Sequence, residues 1–356
     1  MDDSVGLDPA SWAPWTHRPF CADTKYCVFT NSMFQGNHGV SIITTPEIAA
    51  SSVDLLTTLN AAQDPQLGNQ APDPPPYEVR EIPGRGMGVV ATRRIRHGEI
   101  LMVDYASILV DTEFPGRVRR EKGHQLLQRA MEQLPNSDGV LSLARSSKAG
   151  APLPEDVMRT NTFGMTISDR SRMALFPRIS RMNHACNPNA FTRFLEKTLA
   201  KRVVAFRDIE AGEEITISYL EPGVLHAERQ EMLLKRWGFK CSCSLCSAPA
   251  EEIAASDRRR ERVQVIRKEV LQHVQNRDFQ GAIELNAEML ELIRKEDLAP
   301  HLGEHYEVLA RLYLAATDLK NAKIFAQLAL DDLEANGGVD VYDGIEELRT
   351  ILGWNT

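Results

Sequence analysis

The chain has 356 residues, of which 43% are hydrophobic and 25% charged, and a formal net charge of −8. That length suits about two domains with a sizeable core, and the acidic balance argues against direct nucleic-acid binding, which normally demands a basic face. No apolar run approaches the roughly 18 residues needed to cross a bilayer, and MDDSVGLDPASW lacks the basic and apolar regions of a secretory signal. The expectation is a protein of the nucleus and/or cytoplasm with no membrane contact.

Residues 1–76 read as an N-terminal extension. Within it KYCVFTN and GVSIITT carry β-branched and aromatic residues, which predicts two short strands about the turn SMFQGNH. Cys21 and Cys27 lie six apart. In an oxidising compartment they would pair; in a reducing one they stay free. Residues 60–76, NAAQDPQLGNQAPDPPP, predict a proline-rich, extended linker.

From Tyr77, YEVREIPGRGMGVVATRRIRHGEILMVDYASILV predicts strands broken by glycine turns. Its outline, Tyr77-x-Val79 then Gly88-Val89, parallels Tyr26-x-Val28 then Gly39-Val40. That is either a degenerate duplication or the chance likeness of two hairpins. RVRREKGHQLLQRAMEQLP has helical spacing inside an insertion near 116–158. Short strands return over 159–219, including RVVAFRDI and EEITISYL, and HAERQEMLLKRW predicts a helix.

After Pro249 the texture changes: proline nearly disappears and apolar residues recur at three- and four-residue spacing. Helices are predicted near 257–275, 279–296, 302–316, 319–335 and 339–352. RDFQGAIELNAEML and TDLKNAKIFAQLAL share one pattern, so this region is either tetratricopeptide-like or a plain bundle. RRRERVQVIRK, residues 258–268, reads as a solvated helix face.

The densest chemical signal is Cys241-Ser242-Cys243-Ser244-Leu245-Cys246. Bridges between such close thiols would be strained, whereas three thiolates can surround one zinc ion at about 2.3 Å. A tetrahedral site needs a fourth ligand, and the candidates are Cys21, Cys27, Cys186, His184 and His226. Cys186 is preferred, because the turn residues Asn187-Pro188-Asn189 would hold its thiol in place. A closed four-cysteine site is structural and would staple 241–246 onto 183–189.

Four segments now stand in one order: Arg85-Gly86-Met87-Gly88, Asn183-His184-Ala185-Cys186-Asn187-Pro188-Asn189, Gly212-Glu213-Glu214-Ile215-Thr216-Ile217-Ser218-Tyr219, and Cys241-x-Cys243-x-x-Cys246. Together they resemble the SET-domain protein lysine methyltransferases, and the helical tail makes the chain look most like the SET-and-MYND subgroup. The resemblance covers roughly residues 77–247. It departs from the subgroup in one respect: residues 90–160 hold no cysteine, so the MYND finger is absent.

The resemblance implies an α+β class: a SET fold of several small β-sheets over 77–240, with its helical insertion and a post-SET zinc loop over 241–248. An all-α, tetratricopeptide-like domain would follow over 249–356. The implied cofactor is S-adenosylmethionine, bound by Arg85, Gly86, Met87, Gly88, Asn183 and His184, with Phe239 stacking on the adenine. Tyr219 would be the catalytic residue, and Asn161, Phe163 and Trp237 would line a lysine channel. Cys186, Cys241, Cys243 and Cys246 would hold a structural zinc. The implied partner is a lysine-bearing protein or peptide, and the expected state is a monomer. Two other readings compete: a catalytically silent SET scaffold acting through protein–protein interactions, and a methyltransferase for a small-molecule amine.

Overall fold

The computed structural model describes residues 12–52, 72–145, 151–167, 169–221, 223–296, 302–335 and 344–353. Its strands are, in chain order, β1 (Cys27–Asn31), β2 (Val40–Thr44), β3 (Tyr77–Ile82), β4 (Gly86–Ala91), β5 (Ile100–Tyr105) and β6 (Ile108–Asp111). There follow β7 (Thr162–Ile167), β8 (Arg170–Leu175), β9 (Asn183–His184), β10 (Ala190–Leu195), β11 (Ala200–Ala205) and β12 (Glu214–Ile217). The chain forms two compact units, each discontinuous in sequence. The first comprises Met1–Pro72, Met102–Arg181 and Phe194–Arg202; the second comprises Asp73–Leu101, Met182–Arg193 and Val203–Thr356. A three-stranded sheet has the order β10-β11-β5.

In the first unit a five-stranded sheet runs β1-β2-β6-β8-β7. The N-terminal strands pair antiparallel, Phe29 opposite Ile42, and β2 then joins β6 in parallel. Every residue of β1 and β2 is buried, so both faces of this hairpin are covered. Helix α1 (Arg120–Glu132) accounts for part of that cover. Its Leu126, Leu127, Ala130 and Met131 pack with Val28, Ile43, Ile108 and Val110, each large side chain stabilising by about 1.5–3 kcal/mol on burial. Two polar residues within the strands are matched: Ser41 Oγ donates to the Ala130 carbonyl at 2.8 Å, and Thr30 Oγ1 to Gln133 Oε1 at 2.6 Å. Cys21 and Cys27, left open by the sequence, are joined by a disulfide. Most of the proline-rich linker, residues 60–71, lies outside the described residues.

In the second unit a four-stranded sheet has the order β3-β4-β12-β9. β12 runs antiparallel to β4, with Ile215 opposite Val89, and parallel to β9, with Ile217 opposite His184. That parallel pair brings two motifs far apart in sequence into one register. The two hairpins with similar outlines therefore belong to different sheets.

Helices continue this unit: α2 (His226–Trp237), α3 (Ala250–Gln275), α4 (Phe279–Lys295), α5 (Leu302–Ala315), α6 (Leu319–Ala335) and α7 (Ile345–Leu352). They bury separate apolar clusters along their length, such as Val263, Ile266, Met289 and Ile293 for α3 with α4. Residues 339–343 of the last predicted helix lie outside the described residues. The helices are tied to the preceding loop, since Gln264 Nε2 donates to the Gly223 carbonyl and the His226 amide to Asp257 Oδ1, both at 2.8 Å.

The basic run at 258–268 is a solvated face in part: Arg258, Glu261, Arg267 and Lys268 are exposed, whereas Arg260 is buried. α3 begins at Ala250, seven residues earlier than predicted, and Ser256, Arg260 and Val263 share one buried face of it. Arg260 Nε donates to Glu296 Oε2 at 2.8 Å, Arg259 Nε to Glu296 Oε1 at 2.6 Å, and Ser256 Oγ to Glu296 Oε2 at 2.6 Å. Arg262 pairs with Glu269 and Glu288. Among the described residues no helix is long and apolar enough to cross a membrane.

Candidate active site and metal centre

Within the second unit the 241–246 loop meets the turn that follows β9. The sulfurs of Cys186, Cys241, Cys243 and Cys246 all lie within 4.8 Å of one another. Cys186 Sγ is 3.8 Å from Cys241 Sγ and 3.5 Å from Cys246 Sγ. Four sulfurs at about 2.3 Å from a tetrahedral zinc stand about 3.8 Å apart, so the cluster fits that ion. Four thiolates this close repel one another. Only a central cation lets all four ionise together. Of the other candidate ligands, Cys21 and Cys27 are bonded to each other.

The loop is held by α2. Gln230 Nε2 donates to the Cys241 carbonyl and Gln230 Oε1 accepts from the Cys241 amide, both at 2.9 Å. Cys186, Leu220, Leu233 and Cys241 form a buried cluster against which Tyr219, Trp237 and Phe239 pack. On the other side Asn189 fastens its turn to β12, donating to the Glu214 carbonyl and accepting from the Thr216 amide, each at 2.8 Å.

His184 is buried, and burial, with Arg85 and Arg229 nearby, pushes its pKa down to about 4. Its ring is fully engaged. Nδ1 accepts from the Tyr219 amide at 3.0 Å, and Nε2 lies 3.2 Å from Cys186 Sγ. The Tyr219 hydroxyl donates to the Met182 carbonyl at 2.7 Å. Trp237 lies beside the tyrosine with ring centroids 5.1 Å apart, and Phe239 is 6.3 Å from the His184 ring.

The glycine motif meets the same segment through one carboxylate. Glu214 Oε2 accepts from Arg85 Nη1 at 2.6 Å and Glu214 Oε1 from Asn183 Nδ2 at 2.9 Å. Arg85 Nη2 reaches on to the His184 carbonyl at 2.7 Å, and Asn183 Nδ2 to the Met87 carbonyl at 3.2 Å. The two glycines do different jobs. A Cβ on Gly88 would come within 2.9 Å of Asn183 Nδ2 and Glu214 Oε1 and 2.6 Å of Ile82, so its bareness serves close packing. Gly86 has φ +72° and open space around its absent Cβ, and Met87 beside it is 41% exposed.

Asn161 and Phe163 belong to the first unit. Asn161 ends a helix that begins at Leu153, and its Nδ2 donates to Leu143 O, Val157 O and Thr160 Oγ1. That amide is spent on the helix end. Phe163 packs edge-on against Phe176, and Lys201 Nζ lies 4.4 Å from its ring centroid. Burial lowers the Lys201 pKa to about 8.

Sequence reasoning missed Glu214, Gln230 and Met182. Each acts through a contact made only by folding, and a carboxylate within GEEITISY carries no local mark of its partners.

Residues 86–220 match the SET domain family. The histone-lysine N-methyltransferase set5 of Schizosaccharomyces pombe is 32% identical over 193 residues, which cover 52% of this chain and 56% of that protein. The histone-lysine N-methyltransferase SMYD3 of Homo sapiens is 42% identical over 74 residues, 21% of this chain and 17% of its own length. The histone-lysine N-methyltransferase ATXR2 of Arabidopsis thaliana is 42% identical over 82 residues, 22% of this chain and 17% of its own. The chain thus spans about half of the first relative and a smaller share of the other two.

Proposed function

We infer that this chain, a SET-domain protein of the lysine methyltransferase kind, transfers a methyl group from S-adenosylmethionine to the side-chain amine of a lysine in a protein. The observation that carries the reading is Tyr219, its hydroxyl proton committed to the Met182 carbonyl and its amide to His184. S-adenosylmethionine, when bound, supplies a methyl on a positively charged sulfur. The phenol oxygen, its proton directed to Met182, presents lone pairs to the incoming amine and to the developing positive charge. Such a fixed dipole acts electrostatically rather than as a strong base. The amine must first be neutral, and an apolar aromatic surrounding favours that form by desolvation. Trp237, and in the first unit Phe163, have the chemistry for this role.

Arg85, Gly86 and Met87 would hold the cofactor, since Gly86 leaves the strand rim open. Gly88 supports this by letting Asn183 and Glu214 approach. Asn183 and His184 have engaged side chains, so their part is played by backbone groups. Phe239 would offer a ring face to the adenine. Cys186, Cys241, Cys243 and Cys246 would bind one structural zinc, which keeps the loop carrying Phe239 in place. A methyltransferase of this kind acts in the nucleus and/or cytoplasm. The relatives are named histone-lysine N-methyltransferases, which makes histones the first substrates to try.

The test is incubation with methyl-labelled S-adenosylmethionine, first with histones and then with a cell lysate. Label in polypeptide supports the reading. Cofactor binding with no transfer indicates a scaffold, and label confined to small molecules indicates a small-amine methyltransferase; either would overturn it.

A further inference from the structure

We propose that His184 is a positioning residue that couples the four-sulfur centre to Tyr219. The inference rests on the role of Tyr219 given above, but it assigns the imidazole a task other than contact with the cofactor. A ring nitrogen that accepts a hydrogen bond carries no proton. Nδ1 accepts from the Tyr219 amide at 3.0 Å, so in the neutral ring the proton lies on Nε2, which donates to Cys186 Sγ across 3.2 Å. A partner at each ring nitrogen holds the imidazole in position. The ring is only 2% exposed, which leaves no room for it to turn elsewhere.

The tyrosine is thereby gripped at both ends by one short segment. The His184 side chain holds its amide, and the Met182 carbonyl, two residues earlier, holds its hydroxyl at 2.7 Å. The same segment is pinned in parallel register to β12, the strand that leads into Tyr219. Its far anchor is Cys186 Sγ, which stands against Cys241 and Cys246. When the metal leaves, the sulfurs separate, and the ring and the tyrosine amide follow. Hydrogen bonds from outer partners to metal ligands also tighten the metal, and losing one typically costs about 10–100-fold in metal affinity or activity.

The experiment compares the zinc-loaded protein with His184→Leu, which removes both bonds, and His184→Gln, whose amide can accept at one atom and donate at another. Zinc release to a chelator is followed alongside kcat and the KM for S-adenosylmethionine. His184→Leu is expected to release zinc and lose kcat by about 10–100-fold with KM little changed, and His184→Gln to recover most of both. Should His184→Leu fail to fold, His184→Asn, too short to reach both partners, takes its place. Wild-type release rates in His184→Leu would overturn the coupling. So would a rise in KM alone, which would put the imidazole against the cofactor. If the wild-type protein transfers no methyl at all, the functional reading fails, and the zinc-release arm still decides whether His184 braces the metal centre.

Discussion

The hydroxyl of Tyr219 donates to the carbonyl of Met182 at 2.7 Å. The two residues lie on adjoining motifs, and the bond sets which way the phenol lone pairs face. Tyr219→Phe deletes the oxygen while leaving a ring that can still pack beside Trp237. Removing one preorganised dipole of this sort costs on the order of 100-fold or more in turnover. The expected outcome is a lysine-methylation kcat reduced by that much, with binding of S-adenosylhomocysteine unchanged by calorimetry. Equal turnover would remove the tyrosine from the mechanism.

Glu214 joins Arg85 to Asn183 through its two carboxylate oxygens. Glu214→Gln keeps an oxygen for Asn183 but replaces the acceptor of Arg85 with an amide. A charge-assisted hydrogen bond contributes about 1.5–3 kcal/mol, and the partly exposed Arg85 belongs at the low end of that range. Cofactor affinity should therefore weaken by about tenfold, with zinc content unaltered. Isothermal titration with S-adenosylhomocysteine and metal analysis read the two quantities separately.

Asp104 supplies a pH dependence. One of its carboxylate oxygens accepts from the amides of Arg178 and Ile179, at 2.7 and 3.0 Å. Burial outweighs those bonds and the nearby Arg178 charge, raising its pKa from 3.8 to about 6. A carboxyl whose folded pKa is raised binds more protons folded than unfolded, so its contribution to stability falls as pH rises between those values. Asp104→Asn keeps an acceptor without the titration. Relative to that variant, the wild-type protein should gain stability on the order of 2–3 kcal/mol from pH 7 to below pH 4. Urea melts of both proteins across that range check it, and thiol protonation, common to both, cancels. A constant difference would show that Asp104 is not the titrating group.

Arg260 and Glu296 are both almost fully buried and 2.8 Å apart. Removing one partner strands a charge, so Glu296→Leu should destabilise the helical region by about 3–5 kcal/mol. Replacing both, Arg260→Leu with Glu296→Leu, should cost less than the single change, because no lone buried arginine remains. Thermal melts followed by circular dichroism measure both differences.

The features legible in sequence were those that chemistry marks locally. Three cysteines in six positions announce a metal loop, and the rigid Asn-Pro-Asn turn singled out Cys186 as the sulfur that joins them. Strands β1 and β2 were visible from their β-branched residues, but their place in a sheet with β6 and β8 was not, since register across distant segments leaves no local trace. A run of charges reads as a solvated face, and nothing local marks Arg260 as the one whose partner, Glu296, folding brings beside it from 36 residues on. The resemblance assigns His184 to the cofactor but leaves no trace of its ring's bonds to Tyr219 and Cys186. A side chain with two polar ends is claimed by whichever partners folding brings nearest, and no spacing rule reveals them.

The most direct measurement is peptide mass spectrometry on histones incubated with S-adenosylmethionine and either the zinc-loaded wild-type chain or Tyr219→Phe. The account predicts methyl groups on lysine Nζ in the wild-type reaction and nearly none in the variant. Methylation confined to other residue types, or equal lysine methylation by both proteins, would contradict it.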